Sequence, residues 1–193
     1  MIIPMRSDGE ATRDRILVAA QAEFAQFGLA GARVDRIAVA ARASKERLYA
    51  YFGDKAALFT AVLETNLREV MAAMPLDAAD LPGFVGGVFD HVADFPEHLR
   101  MMDWARLEGS TGVLPATPEW RTGAEARAIA ELQQQGVIDP VWDPEDLVTM
   151  LFSIATSWVH APGVFTEPAE STAASRQRRR AAAVAAARKI IAP

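Results

Sequence analysis

The sequence predicts an all-α protein of about nine helices, with an N-terminal three-helix group followed by a larger helical body. Three observations carry that expectation. Apolar residues recur at helical spacing along most of the 193-residue chain. The breaks fall at Gly and Pro positions that close or open helices. No stretch alternates apolar and polar residues with the β-branched enrichment of a strand, so no sheet is expected.

From Thr12 to Phe27, apolar residues stand at Ile16, Ala20, Phe24 and Phe27, with Thr12 as the expected N-cap and Gly28 as the expected stop. A short pattern over 34–41 follows. Ser44 then caps a helix over 45–52, where Leu48 and Phe52 share one face. Asp54 caps a long helix that ends before Pro75. Pro82 sits near the start of the next, and Pro96 opens a sixth that contains Leu99, Met101, Met102 and Trp104. Helices are expected from Pro118 to about Gln135, over 143–160 behind Asp143-Pro144, and over 171–191. The domain division predicted is 1–55 and 56–193.

Composition removes several function classes. The chain holds no cysteine, so disulfide scaffolds, thiolate metal sites and Cys nucleophiles are excluded. His91, His98 and His160 lack metal-site spacing, so neither a metal nor another cofactor is expected. There is no G-x-S-x-G elbow and no Gly-rich phosphate loop, which makes an enzyme a distant reading. Met1 to Arg6 has no long apolar region, and the apolar run 147–159 is too short to span a bilayer. A cytoplasmic protein without membrane contact is the expectation. The net charge is −5, yet residues 1–60 carry nine Lys/Arg against seven Asp/Glu, a net +2, which leaves −7 on the remainder. That split suits a protein touching a polyanion with one end only. The Arg176–Arg180 cluster reads as a solvated helical face.

The two short helices separated by about three residues have the layout of a helix-turn-helix, whose second helix enters the major groove of DNA. With Leu48 and Phe52 turned to the core, Lys45, Glu46, Arg47, Tyr49 and Tyr51 are left outside. Tyr hydroxyls and Lys hold phosphate oxygens, and Arg47 or Lys45 could reach guanine edges. Lys55, a cation in the first turn of a helix, opposes the macrodipole unless an anion lies beside it. Spacing alone leaves two readings open: a DNA-reading helix, or a surface helix with ordinary charges.

The anchors Ile37-Ala38, Ala41, Ser44, Leu48-Tyr49-x-Tyr51-Phe52 and Lys55-x-x-Leu58 resemble the DNA-binding domain of the tetracycline-repressor (TetR) family. Ile16-Leu17-x-Ala19-Ala20 and Phe24-x-x-x-Gly28 are similar to that family's first helix, so the resemblance spans about 11–64. It implies a dimeric, ligand-controlled transcriptional regulator, usually a repressor. It also implies that Tyr49, Tyr51 and Lys55 hold phosphates while Ser44, Lys45 and Arg47 lie at or in the groove. Two positions depart from the family pattern. Arg42 stands where a turn glycine is usual, and is expected either to alter the turn or to contact a phosphate. Ala32 stands where a capping Thr is common, leaving Arg33 as a substitute phosphate contact.

The remainder resembles the family's C-terminal domain in layout only. The helix over 143–160 carries two apolar faces, one of Leu147, Leu151, Ile154 and Trp158, the other of Val148, Phe152, Ala155 and Val159. One face fills the core and the other needs a cover, which a homodimer through 143–160 and 171–191 provides. Phe89, Met101, Trp104, Trp120 and Trp158 are candidate lining for a small apolar effector. The competing function class is an all-helical small-molecule-binding or interaction protein without DNA-binding activity.

Overall fold

The computed structural model describes residues 8–109, 123–161 and 172–193. Among them it is all-helical: α1 (Asp8–Gly31), α2 (Val34–Ala40), α3 (Lys45–Phe52), α4 (Lys55–Ala73), a 3-10 turn (Ala78–Asp80), α5 (Leu81–Asp94), α6 (Pro96–Leu107), α7 (Gly123–Gln134), α8 (Pro144–His160) and α9 (Ala173–Ile191). Packing divides these into two units. One holds α1 to α4 together with α6, the other the 3-10 turn, α5 and α7 to α9.

In the first unit, α1 is longer than its apolar period suggests. It begins at Asp8, so Thr12 is not its cap. Thr12 is buried, and its hydroxyl donates to the Asp8 carbonyl at 2.8 Å. Asp8 and Glu10 supply the acidic first turn that the helix dipole favours. Gly28 does break the helix, with φ 65 and ψ −177, but one more turn follows before Gly31. Ile16, Ala20 and Phe24 form one side of a core closed by Ile37, Leu48, Leu58, Phe59, Leu63 and Met101. Phe24 and Phe59 meet edge to face, with centroids 5.0 Å apart. Asp54 starts α4 as expected, its carboxylate accepting the Ala57 amide at 2.7 Å.

In the second unit, α5 packs against both α8 and α9. Leu81, Val85, Val88, Leu147, Leu151, Ala183 and Ala187 are buried there. Gly86 makes the close approach to α9 possible, since a Cβ at that position would lie 2.7 Å from Arg180 Nη2 and 3.3 Å from Val184 Cγ2. Arg176 and Arg180 of α9 are less solvated than expected. Arg180 Nε donates to Asp90 at 2.6 Å, and Arg176 Nη1 donates to Asp94 at 2.6 Å. The hydrogen bond from Arg176 holds the Asp94 carboxyl below its usual range. Asp143 caps α8 through the Glu145 and Asp146 amides, with Pro144 in the first turn. The expected helix from Pro118 is described only from Gly123 onward; Pro118 and Trp120 lie outside the described residues.

Candidate nucleic-acid interface

The sequence between α2 and α3 folds as a tight helix end. The Arg42 amide bonds the Val39 carbonyl at 3.1 Å and the Ala43 amide bonds the Ala38 carbonyl at 3.0 Å, the paired bonds of a Schellman motif. That motif needs a left-handed residue after the cap, and Arg42 supplies it with φ 51. The turn is thus kept despite the missing glycine. From α1, Arg15 Nε donates to the Ala41 carbonyl at 3.3 Å, placing a cation on the last carbonyls of α2.

Ser44 then starts α3, its hydroxyl accepting the Arg47 amide at 3.2 Å. Leu48 is fully buried and Phe52 nearly so, with the Arg13 guanidinium 5.3 Å from the Phe52 ring centroid. The opposite face carries Lys45, Glu46, Arg47, Tyr49, Ala50 and Tyr51, all exposed; Tyr49 is 44% and Tyr51 38% accessible. Two members of this surface reach other helices. Lys45 pairs with Asp35 of α2, and the Tyr51 hydroxyl donates to the Gly9 carbonyl at 3.1 Å. Both contacts brace α3 against its neighbours.

Lys55 and Arg33 flank this helix pair. Lys55 is half-buried, and its ammonium donates to the carbonyls of Ala30 at 3.4 Å and Ala32 at 3.2 Å. The Arg33 side chain is exposed, while its amide donates to Glu23 Oε1 at 2.8 Å. The N-cap of α2 is Arg33, one residue after the expected Ala32, and it makes no side-chain cap bond; Glu23 instead holds the amide of that cap residue. Its buried carboxylate also takes the Arg36 guanidinium, which lies 4.3 Å from the Phe27 ring centroid. Burial alone would raise the Glu23 carboxyl, but bonds from Arg36 and the Arg33 amide outweigh it and hold it below the usual range. Sequence reasoning missed Glu23. The signal was a carboxylate three residues after Ala20, on the face of α1 that the apolar period turns inward.

The candidate effector residues fall into separate groups. In the first unit Met101 is fully buried, and the Trp104 indole donates to the Ala25 carbonyl at 3.2 Å. In the second unit Phe89 and Trp158 meet edge to face at 5.8 Å. An open groove of about 420 Å³ beside α1 and α6 is lined instead by Val18, Gln21, Ala25, Gln26, Glu97 and Arg100. Among the described residues no cluster of His, Asp and Glu could hold a metal ion, and no helix is long and apolar enough to cross a membrane.

Comparison with known proteins agrees with this geometry. Residues 16–62 match the family described as bacterial regulatory proteins, tetR family, and residues 80–189 match the tetracyclin repressor-like C-terminal domain. The chain is 41% identical over 158 residues to the HTH-type transcriptional repressor SCO4008 of Streptomyces coelicolor, covering 80% of this chain and 82% of that one. It is 30% identical to the HTH-type transcriptional regulator RutR of Escherichia coli K12, over 74% and 71% of the two chains. The crystal structure of the transcriptional regulator SCO4942 from Streptomyces coelicolor superposes with a TM-score of 0.80 at 40% identity, covering 93% of this chain and 98% of that one. The chain therefore belongs to the tetR family of bacterial regulatory proteins, and is a DNA-binding helix-turn-helix transcriptional repressor of that family.

Proposed function

We propose that the protein binds a palindromic operator as a homodimer, with one α3 in the major groove of each half-site, and that a small apolar effector releases it. The observation that carries this reading is the outward surface from Lys45 to Tyr51, offered to solvent over a wholly buried Leu48. Tyr49, Lys55, Arg33 and Arg42 are assigned to phosphates, with Tyr51 joining them once its hydroxyl leaves the Gly9 carbonyl, and Ser44, Lys45 and Arg47 to the groove. Membership of a DNA-binding family removes the competing reading of a helical protein without DNA-binding activity.

The homodimer is supported by the outer surfaces of α8 and α9. Phe152 and Val159 of α8 are 36% and 58% accessible, and Ala181, Ala182 and Ala185 of α9 are exposed. Exposed apolar and small side chains on two long helices suit close packing against a second copy. The effector is assigned to the second unit beside the Phe89–Trp158 pair, where an apolar ligand would find an aromatic wall. A Tyr49→Glu variant tests the docking: it should lose operator affinity while sedimenting as the wild type does. Retained affinity would contradict the docking of α3.

A further inference from the structure

Where α1 breaks, α6 supplies partners to both halves of a missing helical hydrogen bond. In an unbroken helix the Leu29 amide would donate to the Ala25 carbonyl. Gly28, with φ 65 and ψ −177, turns the chain away from that geometry. The Leu29 amide donates instead to Glu108 Oε2 at 3.0 Å, and the Ala25 carbonyl accepts the Trp104 indole at 3.2 Å. The next amide, Ala30, donates to Glu108 Oε1 at 3.1 Å. Trp104 and Glu108 are four residues apart, one above the other on a helix face. The Trp104 ring also occupies the space over Gly28, where a Cβ would meet Trp104 Cε3 at 2.7 Å. The carbonyls of the same turn, Ala30 and Ala32, face the Lys55 ammonium. One residue later Arg33 begins the approach to α2, its amide fixed by Glu23.

We propose that Glu108 is a positioning residue for operator binding: both its carboxylate oxygens hold the Leu29 and Ala30 amides, opposite the Lys55 ammonium on the Ala30 and Ala32 carbonyls, and so fix the corner from which α2 and α3 are offered to DNA. The inference rests on the docking of α3 proposed above. A carboxylate makes the role separable from charge. Removing an acid from a DNA-binding protein strengthens its attraction to a polyanion. A loss of specific binding on removing Glu108 therefore reports geometry.

The test uses the full chain and the duplex that the wild type selects from a random pool, at a temperature where each variant is folded by circular dichroism. Glu108→Ala should bind that duplex about tenfold more weakly or worse. The slope of log affinity against log salt should stay unchanged, because no phosphate contact is lost. Glu108→Gln keeps one acceptor and should recover part of the affinity. Without DNA, the Leu29 and Ala30 amides should exchange faster in Glu108→Ala. Binding equal to or tighter than wild type by folded Glu108→Ala overturns the proposal, as does unaltered exchange at both amides. Should Glu108→Ala not fold, Glu108→Gln and Trp104→Phe decide: weakened binding supports the proposal and unaltered binding in both overturns it. A wild type that selects no duplex refutes the docking of α3 instead, and amide exchange still reads the hold of Glu108 on its turn.

Discussion

Arg42 holds a backbone conformation that glycine adopts freely, and its Cβ costs on the order of 1 kcal/mol there. Arg42→Gly should therefore raise stability in denaturant melts by about that amount. If the guanidinium reaches a phosphate, the same variant should bind operator more weakly, with a salt slope smaller by about one. Unaltered affinity and slope would show that the arginine makes no such contact. Glu23 gives a second residue-scale prediction. Its carboxyl is held low in the folded state, so its contribution is present above the unfolded glutamate value and lost as pH falls through the lower folded one. Glu23→Gln should cost about 1–2 kcal/mol at neutral pH, a figure reduced because Arg36 stands half in solvent. Below pH 4.5, melts of the wild type and of Glu23→Gln should converge. Ser44 and Leu48 were legible in the sequence, because a cap acts within its own turn and an inward face follows from the helical period, whereas the altered turn expected as one alternative at Arg42 is not seen. The partners of Glu23, Lys55 and Glu108 lie 10 to 79 residues away, and no local pattern encodes them.

Helix boundaries were legible where a cap or a proline is decisive, as at Ser44, Asp54, Pro96 and Asp143. They were misread at the start of α1, where Thr12 has the identity of a cap but lies inside the helix, its hydroxyl bonded to the Asp8 carbonyl. The two faces expected on α8 are also redistributed. Val148 and Ala155 join Leu147 and Leu151 in one wide buried stripe, while Phe152 and Val159 remain exposed. At 3.6 residues per turn a core stripe spans more than 100°, so residues one apart can share it. Gly28 is the element-scale weak point. Gly28→Ala adds a Cβ at positive φ into the Trp104 ring, so it should destabilise by about 2 kcal/mol or more in thermal or denaturant melts. Little change would mean that Trp104 moves aside freely.

For the whole molecule, the proposed homodimer has the widest consequences. Sedimentation at micromolar concentration should give a dimer, and Phe152→Glu combined with Val159→Glu should shift it to monomer and lower operator affinity. A wild type that sediments only as monomer would overturn the α8–α9 interface. The charge split between the two ends was legible from residue counts, but its meaning was not: a net +2 is common by chance, and the fold class alone names no ligand.

The helix that braces α1 has a consequence for protein engineering. By sequence, α6 lies inside the match to the C-terminal domain, yet it packs in the same unit as the DNA-binding helices. A chimera spliced after α4 would graft a foreign helix onto Gly28, stripping the head of the tryptophan and glutamate that complete its fold. Exchanging the C-terminal domain of this protein requires carrying residues 96–109 with the DNA-binding helices, although by sequence they belong to the C-terminal match.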